Sequence, residues 1–220
     1  MLKKEAHWLS QKIYSLPTEE VFPMLNIGSS TQEMRQRIQP WIESEIFEVA
    51  SKCNYPVIHT DIKEDHGVDV VGDLRDSAFV ERLMELKIKS VLCANLLEHL
   101  TEPLEICDAI SKTLIDGGYL FLTVPYKYPF HPDPIDTMLR PSVEELSQCF
   151  SGFEVVFGEV VDCGMCFQQD RSWFHLLKNI IRLAFPFYKP KSWLLIVANS
   201  LPWYFRDVSV TCIVLKKKVS

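Results

Sequence analysis

The stretch Met24-Leu25-Asn26-Ile27-Gly28-Ser29-Ser30-Thr31 decides the fold of this chain. The apolar run over residues 21–27 predicts a short buried strand. Gly28 tolerates positive φ and close backbone approach, and so predicts a tight turn. Ser29, Ser30 and Thr31 are good helix N-caps, and residues 32–37 favour a helix. A strand, a glycine turn and a helix start can hold a nucleotide-like ligand at the edge of a sheet, although one glycine is also typical of an ordinary turn.

Composition indicates one folded domain over residues 1–220. The chain has 47% hydrophobic and 24% charged residues, which is ordinary for a globular protein. Its net charge of −6 argues against a nucleic-acid partner. We find no signal peptide and no long uncharged apolar run, so we expect a cytoplasmic protein in which the seven cysteines are reduced. Cys163 and Cys166 have CxxC spacing but lack a second pair, so we expect no metal site there.

Predicted strands alternate with predicted helices along the chain. The strands have continuous apolar cores, which indicates a sheet covered on both faces, the α/β class. Ser142 and Glu145 form a capping box that predicts the start of a helix. Residues 41–53 fit a helix face or an irregular strand. The predicted strands are 21–27, 57–61, 68–73, 89–95, 119–124, 153–157 and 208–215. The predicted helices are 32–39, 77–87, 101–115 and 142–150, of which 101–115 is the clearest.

Polar and acidic residues concentrate where the predicted strands end. These positions are the turn 28–30, Asp61, Asp73, residues 95–99 and residues 125–136. The carboxyl ends of parallel strands share one edge of a sheet, which is where α/β proteins bind ligands. The sequence therefore predicts a ligand site at this edge.

These motifs, in this order, resemble the class I S-adenosylmethionine-dependent methyltransferases. The resemblance covers residues 21–160 and rests on residues 26–32, Asp61, the segment 72–74, the segment 95–100 and the glycine pair in 114–120. It implies a Rossmann-like, doubly wound, seven-stranded, mostly parallel sheet, with an antiparallel last strand and a helical insertion before it. In this family the acid after the second strand binds the ribose hydroxyls, and the acid after the third strand accepts the adenine amino group.

The resemblance implies S-adenosylmethionine as the cofactor and a set of residues that bind it. Asn26 stands where the family has an acid, and Ser30 and Gln32 stand where it has further glycines. These side chains would crowd the methionine part of the cofactor. The implied cofactor-binding residues are Asn26, Gly28, Ser29, Ser30, Asp61, Asp73, Leu74, Asn95, Leu97 and His99.

Residues 124–142 resemble a methyltransferase type 11-like subgroup that is often found with polysaccharide and glycan biosynthesis. His131 is the candidate base, because an imidazole pKa near 6.5 suits proton removal at neutral pH. Asp133 or Asp136 would orient it. The alternative is a proline-rich loop in which these three side chains make local turn contacts.

Two segments lie outside the resemblance. Residues 1–20 read as a leading helix or arm. Residues 163–205 are rich in aromatic residues and fit two short helices, which would form a lid over the acceptor, a homodimer face, a membrane-surface helix pair, or a pair packed on the core.

Three functions follow from these patterns. The first is a methyltransferase that acts on a hydroxyl or carboxyl of a small molecule or glycan. The second is an inactive member of the same fold that serves as a binding or scaffolding subunit; a first turn filled by the side chains of Ser30 or Gln32 would favour it. The third, a nicotinamide-dependent oxidoreductase, would need the full glycine fingerprint.

Overall fold

The sheet has the predicted architecture. The structure is a computed structural model in which residues 1–131, 135–165, 193 and 206–219 are described. In these residues seven strands form one sheet, in the order β3-β2-β1-β4-β5-β7-β6. The strands β1 to β5 pair in parallel, and β7 runs antiparallel to both β5 and β6. Their bounds are β1 Met24–Ile27, β2 Val57–Asp61, β3 Val70–Val71, β4 Ile88–Ala94, β5 Leu114–Lys127, β6 Phe153–Met165 and β7 Asp207–Lys217.

Helices cover both faces of the sheet. The helices are α1 Lys3–Ser15, α2 Thr18–Val21, α3 Pro40–Ile42, α4 Glu48–Lys52, α5 Ser77–Glu85, α6 Pro103–Thr113 and α7 Val143–Gln148. Two π-helical segments, Met34–Ile38 and Glu43–Phe47, flank α3, and a 3₁₀ turn spans Leu97–His99. The ambiguous residues 41–53 are thus helical except for Cys53, and the capping box of Ser142 and Glu145 is present.

Alternate residues of the central strands face two hydrophobic clusters. Met24, Leu92 and Phe121 pack on one side against α1 and the segment 42–50. Leu25, Val91 and Leu120 pack on the other side against α5, α6 and α7. Because both faces are buried, these strands read as continuous apolar runs.

Several bounds differ from the sequence prediction. The strand predicted at 68–73 is reduced to Val70–Val71, because only these residues pair with β2. The strand β6 and the carboxyl end of β5 are longer than predicted, because their antiparallel pairing with β7 continues past the apolar core. The strand β5 also begins earlier than predicted, because Leu114 pairs with Ile88 of β4. Ile88 of β4 pairs with Leu114 of β5, and Ser90 pairs with Tyr119, so the glycine pair lies where the register between the two strands shifts.

The insertion predicted at 163–205 falls almost wholly outside the described residues; residues 163–165 belong to β6. In the described part of the chain, no helix is long and apolar enough to cross a membrane.

Candidate functional site

The turn after β1 has a backbone conformation that favours glycine at position 28. Gly28 has φ of +64°, and a Cβ there would lie 3.2 Å from the side chain of Leu96. Ser30 also has a positive φ, of 53°. Its backbone N–H donates to Asp61 Oδ2 at 2.9 Å, so the turn is fixed against the end of β2. The side chain of Gln32 donates to Gln36 on the exposed surface and does not fill the turn.

A buried arginine ties this turn to the loop after β2. Arg35 is 3% exposed. Its Nη1 donates to the carbonyls of Ser29 at 2.9 Å and Ser30 at 2.8 Å, and its Nη2 donates to the carbonyl of Gly67 at 2.7 Å. Burial lowers the pKa of this guanidinium. Arg35 therefore fixes the backbone where the family resemblance would have further glycines.

Asp61 and Asp73 stand at the ends of β2 and β3. The carboxylate of Asp61 is half-buried and accepts backbone N–H groups from Ser30 and Lys63. A carboxylate has about four lone-pair sites, so Asp61 keeps capacity for further donors. Asp73 accepts from the Arg75 guanidinium at 2.6 Å, and these hydrogen bonds hold the pKa of Asp73 below its usual value. A ligand that donates a hydrogen bond to Asp73 would share the carboxylate with Arg75.

Asn26 faces the neighbouring strand. It is 6% exposed, and its Nδ2 lies 3.0 Å from Nδ1 of His59, its register partner on β2. Burial lowers the pKa of His59 to about 4, with the positive charge of Arg35 acting in the same direction. His59 is therefore neutral at neutral pH, and its Nδ1 accepts a hydrogen bond from the amide.

The N-terminal helix contributes a buried carboxylate. Glu5 is 1% exposed. Its Oε1 accepts from Asn95 Nδ2 at 2.7 Å and from Thr123 Oγ1 at 2.6 Å, and its Oε2 accepts from the backbone N–H of Leu2 at 2.8 Å. Helix α1 is thus fixed to Asn95, directly after β4, and to Thr123 within β5. Leu2 and Glu5 form part of the cavity described below.

Glu98, His99 and His131 come together beside this region. One potential ligand atom from each of the three lies within 4.8 Å of the other two. The Glu98 side chain is wholly buried, and burial raises its pKa to about 7. The imidazoles of His99 and His131 pack edge to face with centroids 5.2 Å apart. Burial lowers the pKa of His131, so its imidazole is neutral at neutral pH.

Asp136 holds the loop that carries His131. Its Oδ2 accepts from the backbone N–H of His131 at 3.1 Å and lies 3.1 Å from His131 Nδ1. The same oxygen accepts from Arg140 Nη2 at 2.7 Å. Burial acts to raise the pKa of Asp136, but hydrogen bonds from Arg140, His131 and Met138 outweigh it and lower the pKa to about 2.

A cavity of about 790 Å³ joins these groups at the carboxyl edge of the sheet. This volume lies in the range of small-molecule sites. Its wall includes nine of the ten predicted cofactor residues: Asn26, Gly28, Ser29, Ser30, Asp61, Asp73, Leu74, Asn95 and His99. The cavity also reaches Glu98 and His131, so it extends beyond the predicted cofactor-binding residues.

Two of the predicted residues lie outside the cavity wall, and a third is not described by the structure. Leu97 does not line the cavity; it is 1% exposed and packs in the core under β4, while its neighbour Leu96 faces the cavity. Asp136 lies behind His131 and not in the cavity wall. Asp133 lies outside the described residues.

Comparison with known proteins identifies the fold. No family profile and no curated protein sequence matches the chain. Among solved structures, the chain is similar to the MccD protein, at 16% identity and a TM-score of 0.55 over 96% of both chains. It is also similar to the [4+2]-cyclase SpnF, at 17% identity and a TM-score of 0.52 over 97% of this chain and 81% of that one.

A third similar structure is coclaurine N-methyltransferase bound to N-methylheliamine and SAH. It is 14% identical, with a TM-score of 0.51 over 88% of this chain and 65% of that one. The fold is thus the Rossmann-like fold of class I methyltransferases. A [4+2]-cyclase has a similar fold, so the fold alone does not identify the reaction.

Proposed function

We propose that this protein is an S-adenosylmethionine-dependent methyltransferase that acts on a hydroxyl or carboxyl of a small molecule or glycan. The observation that carries the proposal is the continuous cavity, which connects the glycine turn and Asp61 to the Glu98–His99–His131 cluster. One end offers a site for a nucleoside, and the other end offers polar groups for an acceptor.

The residues of the turn fit the cofactor. A ligand can approach the backbone at Gly28, where a Cβ would meet Leu96. Asp61 is a rigid acceptor for ribose hydroxyls, because two backbone N–H groups orient its carboxylate. Gln32 hydrogen-bonds to Gln36 at the exposed surface, so its side chain does not block the turn. When bound, S-adenosylmethionine would supply an electrophilic methyl group, and the protein's task is to position an acceptor in line with it.

His131 is the residue that would act on the substrate that receives the methyl group. Both groups next to its Nδ1, the Pro129 carbonyl and the Asp136 carboxylate, are hydrogen-bond acceptors, so Nδ1 carries the proton. The remaining lone pair is on Nε2, and it is available to take a proton from an acceptor hydroxyl. Asp136 acts as a positioning residue, since it fixes the tautomer and the orientation of the ring.

Calorimetric titration with S-adenosylmethionine and its demethylated product tests the proposal. Asp61→Asn removes the negative charge and replaces one of the two acceptor oxygens by an NH2 donor. We expect this change to weaken the binding of both ligands by at least about 10-fold, or about 1.4 kcal/mol. Asp69→Asn is the matched control, because the Asp69 carboxylate, like that of Asp61, accepts a backbone N–H group, here from His59, but lies outside the cavity wall.

Wild-type protein should bind in the micromolar range, and Asp69→Asn should bind equally well. The absence of binding at millimolar cofactor by a folded wild-type protein would refute the proposal. Equal weakening by both variants would refute the assignment of Asp61.

A further inference from the structure

The Glu98 carboxylate has no hydrogen-bond partner in the described structure. Its side chain is 0% exposed, and neither Oε1 nor Oε2 accepts a hydrogen bond from any described residue. A buried carboxylate without a compensating partner is strongly destabilising. Its backbone carbonyl, by contrast, accepts from both the N–H and the hydroxyl of Thr137, so the turn that carries Glu98 is itself well fixed. Either a proton on the carboxyl group or a bound cation would neutralise this buried charge, and a cation would also satisfy oxygens that accept no hydrogen bond.

Both nearby imidazoles present a lone pair from Nε2. Nδ1 of His99 donates to the carbonyl of Ile135, so its Nε2 is unprotonated in the neutral ring and lies 3.7 Å from Glu98 Oε1. Nδ1 of His131 is the protonated nitrogen for the reason given above. A protein that binds a metal through histidine uses the other ring N–H in this way, donated to a carbonyl or a carboxylate.

We infer that Glu98, His99 and His131 form a binding site for a divalent transition-metal cation. Two imidazole nitrogens and one carboxylate oxygen are a donor set suited to zinc and iron-type cations and poorly suited to magnesium or calcium, which prefer oxygen. Bonds of about 2.1 Å place two ligand atoms of a tetrahedral site about 3.4 Å apart. The ligand atoms lie within 4.8 Å of one another, so the side chains would close by at most about 1.4 Å around the cation.

The three ligands leave open coordination positions, and all three residues line the cavity. Three protein ligands with an open position are typical of a catalytic metal site rather than a structural one. The role of the cation rests on the proposed function: an oxygen of the acceptor would occupy an open position. The acceptor hydroxyl would then lose its proton to solvent through coordination, because His131 would be a ligand instead of the base.

The experiment uses Co²⁺ as the probe. It is added to the 220-residue protein after treatment with a chelator and removal of the chelator. Affinity and stoichiometry come from calorimetry, and coordination comes from the visible absorption of Co²⁺. The ligand variants are Glu98→Gln and His131→Gln. His7→Gln is the control, because His7 is an exposed histidine on α1 that is paired with Glu45.

We expect one Co²⁺ per chain, a spectrum typical of nitrogen and oxygen ligands, and a loss of affinity of at least about 10-fold in each ligand variant. His7→Gln should bind as the wild type does, and Mg²⁺ should not compete at 100-fold excess. Asp136→Asn should weaken Co²⁺ binding by about 10- to 100-fold, because Asp136 supports the His131 ring.

No binding at millimolar Co²⁺, or equal binding by the wild type and both ligand variants, would overturn the inference. The same samples are titrated with S-adenosylmethionine. Cofactor binding without Co²⁺ binding would refute the metal site and leave the proposed function standing. Co²⁺ binding without cofactor binding would support the metal site and refute the proposed function.

Discussion

His59 should make the folded protein sensitive to mild acid. Its pKa is about 4 in the folded protein, below the usual value of about 6.5, because the ring is buried and faces Arg35. Asp69 acts in the opposite direction but does not compensate. Protonation would also place an N–H donor of His59 against the amide donor of Asn26, now 3.0 Å away.

The sign of the effect follows from proton linkage. Between pH 6.5 and pH 4 the unfolded chain binds a proton at His59 that the folded chain does not bind, so acid favours unfolding. The contribution of His59 is complete above pH 6.5 and is lost as the pH falls toward 4. For these two pKa values the loss is about 2 kcal/mol between pH 7.5 and pH 5.0, and about 3 kcal/mol at the limit.

Urea unfolding followed by circular dichroism at pH 7.5 and pH 5.0 measures this loss. Other groups also titrate, so the informative quantity is the difference between the wild type and His59→Gln, which cannot gain the proton. We expect the variant to lose about 2 kcal/mol less free energy of unfolding than the wild type over this interval.

Asn26→Asp should also flatten the profile, because a carboxylate beside Nδ1 favours the imidazolium. Equal losses in the wild type and in His59→Gln would refute the reasoning, as would an NMR titration of His59 with a pKa near 6.5.

Three further substitutions test other parts of the structure by equilibrium unfolding. Phe121→Ala should lower the free energy of unfolding by about 3–5 kcal/mol, because Phe121 is fully buried at the centre of the sheet, and a loss below about 1 kcal/mol would contradict that placement. Ser142→Ala should cost about 1 kcal/mol through the lost cap of α7, whereas Ser147→Ala within the same helix should cost less; the reverse order would contradict the capping box. Gly28→Ala should cost about 1–2 kcal/mol and weaken the cofactor, since its φ is positive and the new Cβ would meet Leu96; a neutral result would show that the turn adopts another conformation.

The sheet was predictable because its signals are local. Each predicted strand exists, since short apolar runs between turn residues are sufficient to mark buried parallel strands. The extent of β3, β5 and β6 was not predictable, because pairing with a neighbouring strand sets where each one ends. The π-helical segments around Pro40 likewise leave no periodic pattern that distinguishes them from an α-helix.

The site was predictable only in part. The positions that end strands, such as Asp61 and Asn95, line the cavity as predicted. Glu5 and Arg35 were missed, because each reaches the site from a helix through contacts that are distant in sequence. Other charged residues lie close to Glu5 and Arg35 in the sequence, so neither residue type nor spacing distinguishes these two from their exposed neighbours. The grouping of Glu98 with His131 was missed for the same reason, since the two residues lie on different loops.

A crystal structure of the protein grown with the demethylated cofactor product tests whether the cavity holds the cofactor. We expect difference density in the cavity at the carboxyl edge, with the ribose at Asp61 and the backbone of Gly28 against the ligand. Density for the ligand elsewhere, or a cavity without ligand in crystals of protein that binds it in solution, would contradict the claim.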